Sequence, residues 1–324
     1  MRIKKVCPHC DSNKTTKEGK YRHKRNRNLI QKYKCHNCNS YFSDQTLSKT
    51  FGQKRPDLNQ KVMEHICGGV GVLRTASILK TTKVTVQRKI KFLADACEKF
   101  HKKYMTSWKT EPSFQFDELE TCELGRYYTV GVPVVSETAS HFIVGARAMY
   151  WKSRCQFPVV RNRHNQRNKD EILKKADYTK EQLHLVNLMK PEGRIAMDTD
   201  GFKSYPKYLN DVFGNRVDHT VYITEEEVNR DKLFSVNKVM ACLRADVANL
   251  RTDTWHVCKD IEMLSNRLKV YIFYSNYFKK KTYCKIWKDS SGKKHKKVLS
   301  VETPAMKLGI LDVPVGVNFL LSHI

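Results

Sequence analysis

Two closely spaced cysteine pairs near the start of the chain have the spacing of a metal site. Cys7 and Cys10 form one CxxC pair, and Cys35 and Cys38 form a second pair after 24 intervening residues. Each pair can place two thiolates on one side of a tight turn, and four thiolates satisfy tetrahedral Zn²⁺ with no open position. The spacing therefore predicts a structural zinc ribbon over residues 1–50.

The competing interpretation of these pairs is a redox CxxC motif. A redox motif needs a βαβ setting, and it would not explain a second, matching pair. The residues between the pairs are polar and rich in Lys, Arg and Asn, so their folding energy would have to come from the metal. His9 and His36 lie inside the pairs and could replace a thiol, although solvated side chains are the favoured interpretation.

A second set of reactive side chains lies where predicted strands meet acidic residues. Residues 114–119 alternate as a strand does, with two phenylalanines on one face and Asp117 on the other. Residues 193–201 have the pattern of a buried strand that runs into Asp198, Asp200 and a glycine turn. Strands that end in acids are where α/β folds place metal chemistry. The pattern therefore indicates metal chemistry at this strand end.

The elements that must position these acids form an α/β domain over residues 109–290. The predicted elements are strands at 114–119, 126–135 and 141–148, a basic insertion around 155–190 that is helical from Asp170, strands at 193–201 and 219–224, and a long helix from near Asp231. Three strands, a helix, two strands and a closing helix are what a ribonuclease-H-like domain requires. We therefore predict an α/β ribonuclease-H-like catalytic domain, with a mixed five-stranded sheet flanked by helices.

The long closing helix carries two stripes. Its apolar residues recur at 4-3-4-3 spacing from Val236 to Leu250, which is typical of a helix packed on a core. Asn237, Arg244 and Arg251 form a separate, heptad-spaced polar stripe. Arg244 and Arg251 are predicted phosphate contacts, and ion pairs within the domain are the alternative.

Residues 51–108 have the pattern of an all-α DNA-binding domain. Two short helices, a polar turn at 80–82 and a longer helix follow one another, and the N-terminal half of the last helix displays Thr, Gln, Lys and Arg. This is the helix-turn-helix pattern, in which the second helix enters the major groove. The alternative is a three-helix bundle with a basic exposed face. The predicted DNA contacts are Thr85, Gln87 and Arg88 at base edges, and Lys83 and Lys91 at phosphates.

Composition points to a nucleic-acid partner. The chain has 324 residues, with 60 Lys and Arg against 33 Asp and Glu, and a formal net charge of +27. A protein this basic usually neutralises a polyanion. No apolar run approaches the roughly 18 residues of a membrane span, and the start has no signal-peptide core. Seven of the eleven cysteines are scattered, unlike a disulfide framework, so we expect a cytoplasmic, nucleoid-associated protein without membrane partners.

The order of these motifs resembles insertion-sequence transposases of the DDE class that carry an N-terminal zinc ribbon. The resemblance covers most of the chain and is implied by the order of the motifs more than by any one of them. The residues that carry it are CPHC…KYKCHNCNSYFS, GVGVLRTASILKTTKVTVQRKI, FDELET, MDTDGFKSYP, LFSVNKVMACLRADVANLRTDTW with a helix running to YIFYSNY, and ETPAMKLGI in a C-terminal tail over 291–324.

The resemblance implies a set of catalytic acids. Asp117 matches the first acid of the family, and Asp200 matches the second, in the pattern Asp-Gly followed by Tyr205. Asp198 is two positions away and is the alternative for the second acid.

The third catalytic acid departs from the family pattern. When the helix is registered on Asn237, the position where many relatives carry glutamate holds Phe234, which cannot bind a metal. Asp231, one turn earlier, is the closest substitute, and a related branch has Asp before Leu-Phe. Asp231 could also serve only as a helix cap. Asp246 and Glu227 are the other candidates.

The resemblance also implies a function. Carboxylates would hold Mg²⁺ or Mn²⁺ for phosphodiester cleavage, freeing a 3′-OH at each element end that then attacks target DNA. The implied partners are double-stranded DNA, as element ends and target, and further copies of the chain as a homo-oligomer on DNA. The rivals are a DNA-binding regulator of the same ancestry with a decayed site, a nuclease that cuts without joining, and an RNA-binding ribosome-associated protein.

Overall fold

The computed structural model describes residues 5–22, 28–223, 232–252, 257–289 and 291–324. The candidate acids Glu227 and Asp231 lie outside these residues. The chain divides into two compact units, Met1–Asp57 and Leu58–Ile324.

The helices and strands follow in chain order. They are β1 (Thr15–Arg22), β2 (Leu29–Cys35), β3 (Tyr41–Ser43), α1 (Asn59–Ile66), α2 (Val72–Ile78), α3 (Lys83–Tyr104), β4 (Phe114–Cys122), β5 (Thr129–Glu137), β6 (Ile143–Ala146), β7 (Met149–Tyr150), α4 (Pro158–Arg167), α5 (Lys169–Leu173), α6 (Lys175–Met189), β8 (Ile195–Thr199), α7 (Tyr205–Phe213), β9 (Val217–Val221), α8 (Phe234–Asp246), α9 (Ile261–Phe273), β10 (Lys281–Lys288), β11 (Lys294–Glu302), α10 (Pro304–Lys307) and α11 (Val317–Ser322).

The first unit is a small antiparallel sheet with a cysteine-lined core. Its three strands lie in the order β1-β2-β3. The buried hydrophobic residues are Cys7, Tyr33, Cys35 and Phe42, and the Tyr33 and Phe42 rings stack at 5.2 Å. So few apolar side chains cannot hold a fold of this size alone, which makes the cysteines central to its stability.

The second unit is built on a mixed sheet. Its strands lie in the order β6-β5-β4-β8-β9, with β7 also paired to β5. β5 is antiparallel to β4 and β6, whereas β8 is parallel to both β4 and β9. We predicted five strands, and the strand predicted at 141–148 is β6. The sheet has a sixth strand because the chain pairs with β5 again at β7, just beyond the predicted range.

Strand alternation gives the sheet two differently covered faces. Phe116 packs edge-on against Tyr205 of α7 at 4.7 Å, and Glu118 bonds to Lys175 of α6 on the same face. On the opposite face, the Gln115 side-chain oxygen accepts the backbone N–H of Val236 in α8 at 3.2 Å. Asp117 alternates with Phe116 and Glu118, so it belongs to the face covered by α8.

The three N-terminal helices of this unit share its main core. In α3 the buried residues include Val86, Ile90, Leu93, Cys97 and Phe100, which are the positions of the predicted apolar stripe. The α3 side chains pack on α9, where Phe100 meets Phe273 edge-on at 5.3 Å. We predicted a separate domain over residues 51–108. Residues 58–108 contribute instead to the same core as the sheet.

The closing helix is shorter than predicted. α8 ends at Asp246, Val247 is extended with φ −105° and ψ 99°, and a 3-10 turn covers Ala248–Leu250. The end of α8 is bonded to the α1–α2 connection, because the N–H of Gly69 donates to the carbonyl of Asp246 at 2.7 Å. Arg251 therefore does not continue the heptad stripe, and the prediction of one unbroken helix to Leu250 was wrong.

The C-terminal residues form structure of their own. β10 and β11 are an antiparallel hairpin, which we did not predict, and the expected boundary at residue 291 falls in its turn. Ala305, Leu308 and Leu320 of the last segment are buried in the main core. None of the helices in the described parts of the chain combines the length and apolar character that a membrane crossing needs.

Candidate functional site

Asp117 lies on β4, and Asp200 directly follows the end of β8, the parallel strand next to it. The β4–β8 ladder ends with Phe116 opposite Thr199, so the next residue along each chain is an aspartate. Neighbouring strands lie about 4.8 Å apart. The two carboxylates are consequently within electrostatic reach, and Asp200 raises the pKa of Asp117.

Asp117 is a largely buried carboxyl whose charged form is disfavoured. Burial is the main cause that raises its pKa to about 6, and the Asp200 carboxylate adds to the rise. The backbone N–H of Glu118 opposes it by donating to the Asp117 Oδ1 at 2.7 Å. A cation near both carboxylates would relieve their repulsion, so these oxygens fit a hard divalent ion such as Mg²⁺.

Asp198 has other partners. It lies opposite Gln115 in the strand register, and the Gln115 side-chain amide donates to its Oδ2 at 3.4 Å. Burial raises its pKa, and the bond from Gln115 and the charge of His219 oppose that rise. Asp200 lies just past the end of this strand, and its Oδ1 accepts the N–H of Phe202 at 3.1 Å.

Two residues that the sequence patterns did not single out as site residues lie beside this acid pair. Glu118 bonds to Lys175 at 3.0 Å and to Thr179 at 3.3 Å, and burial is the main cause that raises its pKa. Tyr205 is buried, and its pKa is raised by burial and by the charges of Glu118, Asp117 and Asp200. Alternation along β4 could have indicated that Glu118 faces the other side of the sheet.

Of the three candidates for a third acid, Asp246 alone lies within the described residues. Asp231 and Glu227 lie outside the described residues and remain predictions. Asp246 is at the end of α8, where its Oδ2 accepts bonds from Tyr271 and Lys279, each at 2.9 Å. Phe234, at the position registered with a glutamate, is 56% exposed and packs edge-on against His141 at 5.9 Å.

The two predicted arginines of the closing helix are in different environments. Arg244 is an exposed α8 residue whose charge lowers the pKa of Asp117, so it lies within electrostatic reach of the acid pair. Arg251 lies beyond the helix, and its Nη2 donates to the Ala245 carbonyl at 2.6 Å. Arg244 is therefore the arginine that could contact a phosphate held at the acids.

The predicted DNA contacts on α3 differ in how accessible they are. Lys83 and Arg88 are exposed at the start of the helix. Thr85 is partly buried, and its hydroxyl lies 2.9 Å from the Thr82 hydroxyl at the helix cap. Gln87 is partly buried, and Lys91 forms an exposed ion pair with Glu262 at 2.9 Å.

The four predicted cysteine ligands lie together. Their sulfurs are all within 4.8 Å of one another, with Cys7 and Cys38 at 3.7 Å and Cys10 and Cys35 at 3.6 Å. Zn–S bonds of about 2.3 Å in a tetrahedron separate the sulfurs by about 3.8 Å. The four cysteines could therefore hold a metal ion such as zinc.

The two CxxC turns have matching backbone geometry. The first cysteine of each pair donates its N–H to a serine carbonyl five residues later, Ser12 at 3.0 Å and Ser40 at 2.9 Å. Asp11 and Asn39, each directly after the second cysteine, have φ of 54° and 56°. Asp and Asn tolerate this left-handed conformation better than most residues. The two cysteine pairs therefore have the same local backbone conformation.

The histidines inside the pairs are not in the sulfur cluster. His9 is exposed, and His36 Nε2 lies 2.9 Å from the Thr16 hydroxyl. In the described part of the chain, the cysteines are the one group of three or more potential ligands whose atoms lie together, and it includes neither histidine.

The structure thus combines a closed sulfur site with an open pair of carboxylates. A site of four thiolates has no position for a substrate, whereas two carboxylates leave most of the coordination sphere of Mg²⁺ to water and phosphate oxygens. No protein-family model and no curated protein matches this chain.

Proposed function

We propose that the protein is a DNA transposase whose catalytic domain is ribonuclease-H-like. The observation that carries the proposal is the acid pair, in which Asp117 lies on β4, Asp200 directly follows the adjacent parallel strand β8, and the charge of Asp200 raises the pKa of Asp117. The strand order supports it, since β4 lies centrally with an antiparallel meander on one side and two parallel strands on the other.

Asp117 and Asp200 would hold Mg²⁺ or Mn²⁺ through hard oxygen ligands. The bound cation supplies charge neutralisation at the phosphate during in-line displacement. Arg244 would contact the same phosphate, because it is exposed and within electrostatic reach of Asp117. Asp231 or Glu227 would supply the third carboxylate.

DNA binding would be shared by the helices and the cysteine unit. α2 and α3 are joined by the four residues 79–82, which is the turn length of a helix-turn-helix motif. Lys83 and Arg88 are exposed at the start of α3, the part of such a helix that contacts DNA. Zinc bound by the four cysteines would be structural.

A cleavage and joining assay tests this proposal. Wild-type protein is incubated with Mg²⁺ and the DNA that flanks its own gene, and 3′-end cleavage and strand transfer are measured. We expect cut and joined products from wild type and at least a 100-fold loss in Asp117→Asn and Asp200→Asn. Asp95→Asn is the matched control, because it changes an exposed carboxyl in the second half of α3 that is not a candidate catalytic acid. Wild type that binds but does not cut, even with Mn²⁺, would contradict the proposal.

A second function is favoured by one observation. Phe234 occupies the position that a catalytic glutamate has in related proteins, and its ring packs against His141. A DNA-binding regulator with a decayed site would have such a residue. The regulator would bind the flanking DNA without divalent cations and never nick it, whereas a nuclease would nick without joined products.

A further inference from the structure

The β10–β11 hairpin is a ribbon that the core supports only at its base. Within the described residues, its two strands pair with each other and not with the main sheet. Tyr283 anchors the base, where its hydroxyl donates to the Ser140 carbonyl at 2.7 Å and Lys307 Nζ lies 4.1 Å from its ring centroid. A two-stranded ribbon is marginally stable by itself. Beyond Tyr283, the conformation of the ribbon therefore depends mainly on the hydrogen bonds between β10 and β11.

The ribbon has a high positive charge that its own acids do not offset. Residues 281–302 contain seven lysines against one aspartate and one glutamate. Asp289 is engaged at the turn by His295 at 2.7 Å, and Glu302 lies opposite Lys281 at the base. Between them, Lys285 lies directly opposite Lys297 and both are exposed. Like charges in this position destabilise a strand pair, so a polyanion would stabilise it.

Exposed apolar side chains accompany these lysines. Ile286 is 63% exposed and Val298 is 53% exposed, and both lie on one face of the ribbon. On the other face, Trp287 stacks on His295 with ring centroids 5.4 Å apart. Lysines interleaved with apolar groups fit a surface that contacts both phosphates and the groups inside a nucleic-acid groove.

We propose that the β10–β11 hairpin binds double-stranded DNA as a ribbon in the major groove. This inference rests on the proposed function, which makes duplex DNA the substrate. A two-stranded ribbon fits the major groove of B-DNA, which is about 12 Å wide, but not the deep, narrow major groove of duplex RNA. Ser140, which receives the anchoring bond, lies in the β5–β6 connection. That connection follows Glu137, which pairs with Phe114, three residues or roughly 10 Å along β4 from Asp117.

Fluorescence anisotropy on the full chain tests the hairpin. A labelled duplex of the flanking DNA is titrated over a series of salt concentrations, with the double variant Lys285→Gln/Lys297→Gln. The matched control is Lys99→Gln/Lys259→Gln, which removes two exposed lysines elsewhere. Because each lost phosphate contact lowers the salt dependence by about 0.9, we expect the slope of log K against log salt to fall by about 2. We also expect at least tenfold weaker binding at moderate salt, and a melting temperature that is not lowered, because the substitutions remove a like-charge pair.

The outcomes separate this inference from the function on which it rests. If wild type binds the duplex and the two double variants bind it equally well, the hairpin inference is overturned and the proposed function is left intact. An equal loss on duplex RNA of the same sequence would also overturn it, because a groove-inserted ribbon distinguishes the two duplexes. Wild type that fails to bind the duplex at all would overturn the proposed function and this inference with it.

Discussion

At the scale of single residues, the acid pair shows a conflict between stability and chemistry. Asp117 lies on a buried strand, and burial together with Asp200 raises its pKa to about 6. At neutral pH the folded protein must therefore hold an unfavourable charge when no cation is bound. Such a charge is expected where carboxylates are positioned for a ligand rather than for folding.

The first prediction concerns this cost. Asp117→Asn should stabilise the second unit by about 1–3 kcal/mol at pH 7.5 without added divalent ions, because the amide removes the buried charge and can still accept the Glu118 N–H. The folded-state pKa of Asp117 is raised, so the advantage should be full above pH 6, shrink between pH 6 and 4, and vanish below about pH 4. Denaturant unfolding at several pH values measures it.

The control for this prediction is Asp95→Asn, which changes an exposed carboxyl on α3. Surface changes of this kind usually alter stability by less than about 0.5 kcal/mol. An Asp117→Asn protein that is less stable than wild type at pH 7.5 would show that the carboxylate has a stabilising partner in the folded protein.

Sequence patterns located single candidate residues where a local rule applied. Alternation in residues 114–119 put Asp117 on the face opposite the two phenylalanines, and CxxC spacing identified the four cysteines whose sulfurs lie together. The proximity of Glu118, Tyr205 and Arg244 to the acid pair depends on how α6, α7 and α8 cover the sheet. No local pattern in the sequence contains that information.

At the scale of elements, the cysteine unit and the sheet unit differ in what stabilises each of them. The first unit has a core of four buried residues, two of them cysteines, whereas the second has one extensive hydrophobic core. Zinc binding to such small units contributes about 10–16 kcal/mol, which exceeds the stability of most domains. Metal should therefore decide the folding of the first unit alone.

The second prediction follows from this division. Cys35→Ser should lose the bound zinc and make residues 5–57 sensitive to protease, while the unit from residue 58 stays resistant. Zinc content by elemental analysis and limited proteolysis measure the two effects. Cys242→Ser, a partly buried cysteine of α8, is the matched control and should keep its zinc. Full zinc content in the Cys35→Ser protein would contradict the assignment of the site.

Helices and strands were predictable where the spacing of the apolar residues and the length of the segment indicated the same element. The 4-3-4-3 stripe located α3, and alternation located β4. The same spacing predicted a closing helix that continues to Leu250, but α8 ends at Asp246, which bonds to Gly69, Tyr271 and Lys279. The β10–β11 hairpin was missed because its lysine-rich strands have no buried face beyond Tyr283, so hydrophobic alternation is weak there.

At the scale of the whole molecule, one large unit brings together the acids, the helices α1–α3 and the basic hairpin. α3 and α9 share the core with the sheet, and the end of α8 bonds to Gly69 between α1 and α2. With a net charge of +27, the chain has basic residues for an extended polyanion as well as a short carboxylate site. This combination supports the proposed function, in which the protein would hold long DNA while it acts on single phosphates.

The most direct test of the central claim is an exchange of metal specificity at Asp117. Thiolate is a poor ligand for Mg²⁺, which takes oxygen, and a softer divalent ion tolerates sulfur better. If Asp117 holds the catalytic cation, Asp117→Cys should be inactive in DNA cleavage and strand transfer with Mg²⁺ and recover measurable activity with Mn²⁺. Asp117→Ala is the control and should stay inactive with both ions. Full activity of Asp117→Cys with Mg²⁺, or equal recovery of Asp117→Ala with Mn²⁺, would contradict the account.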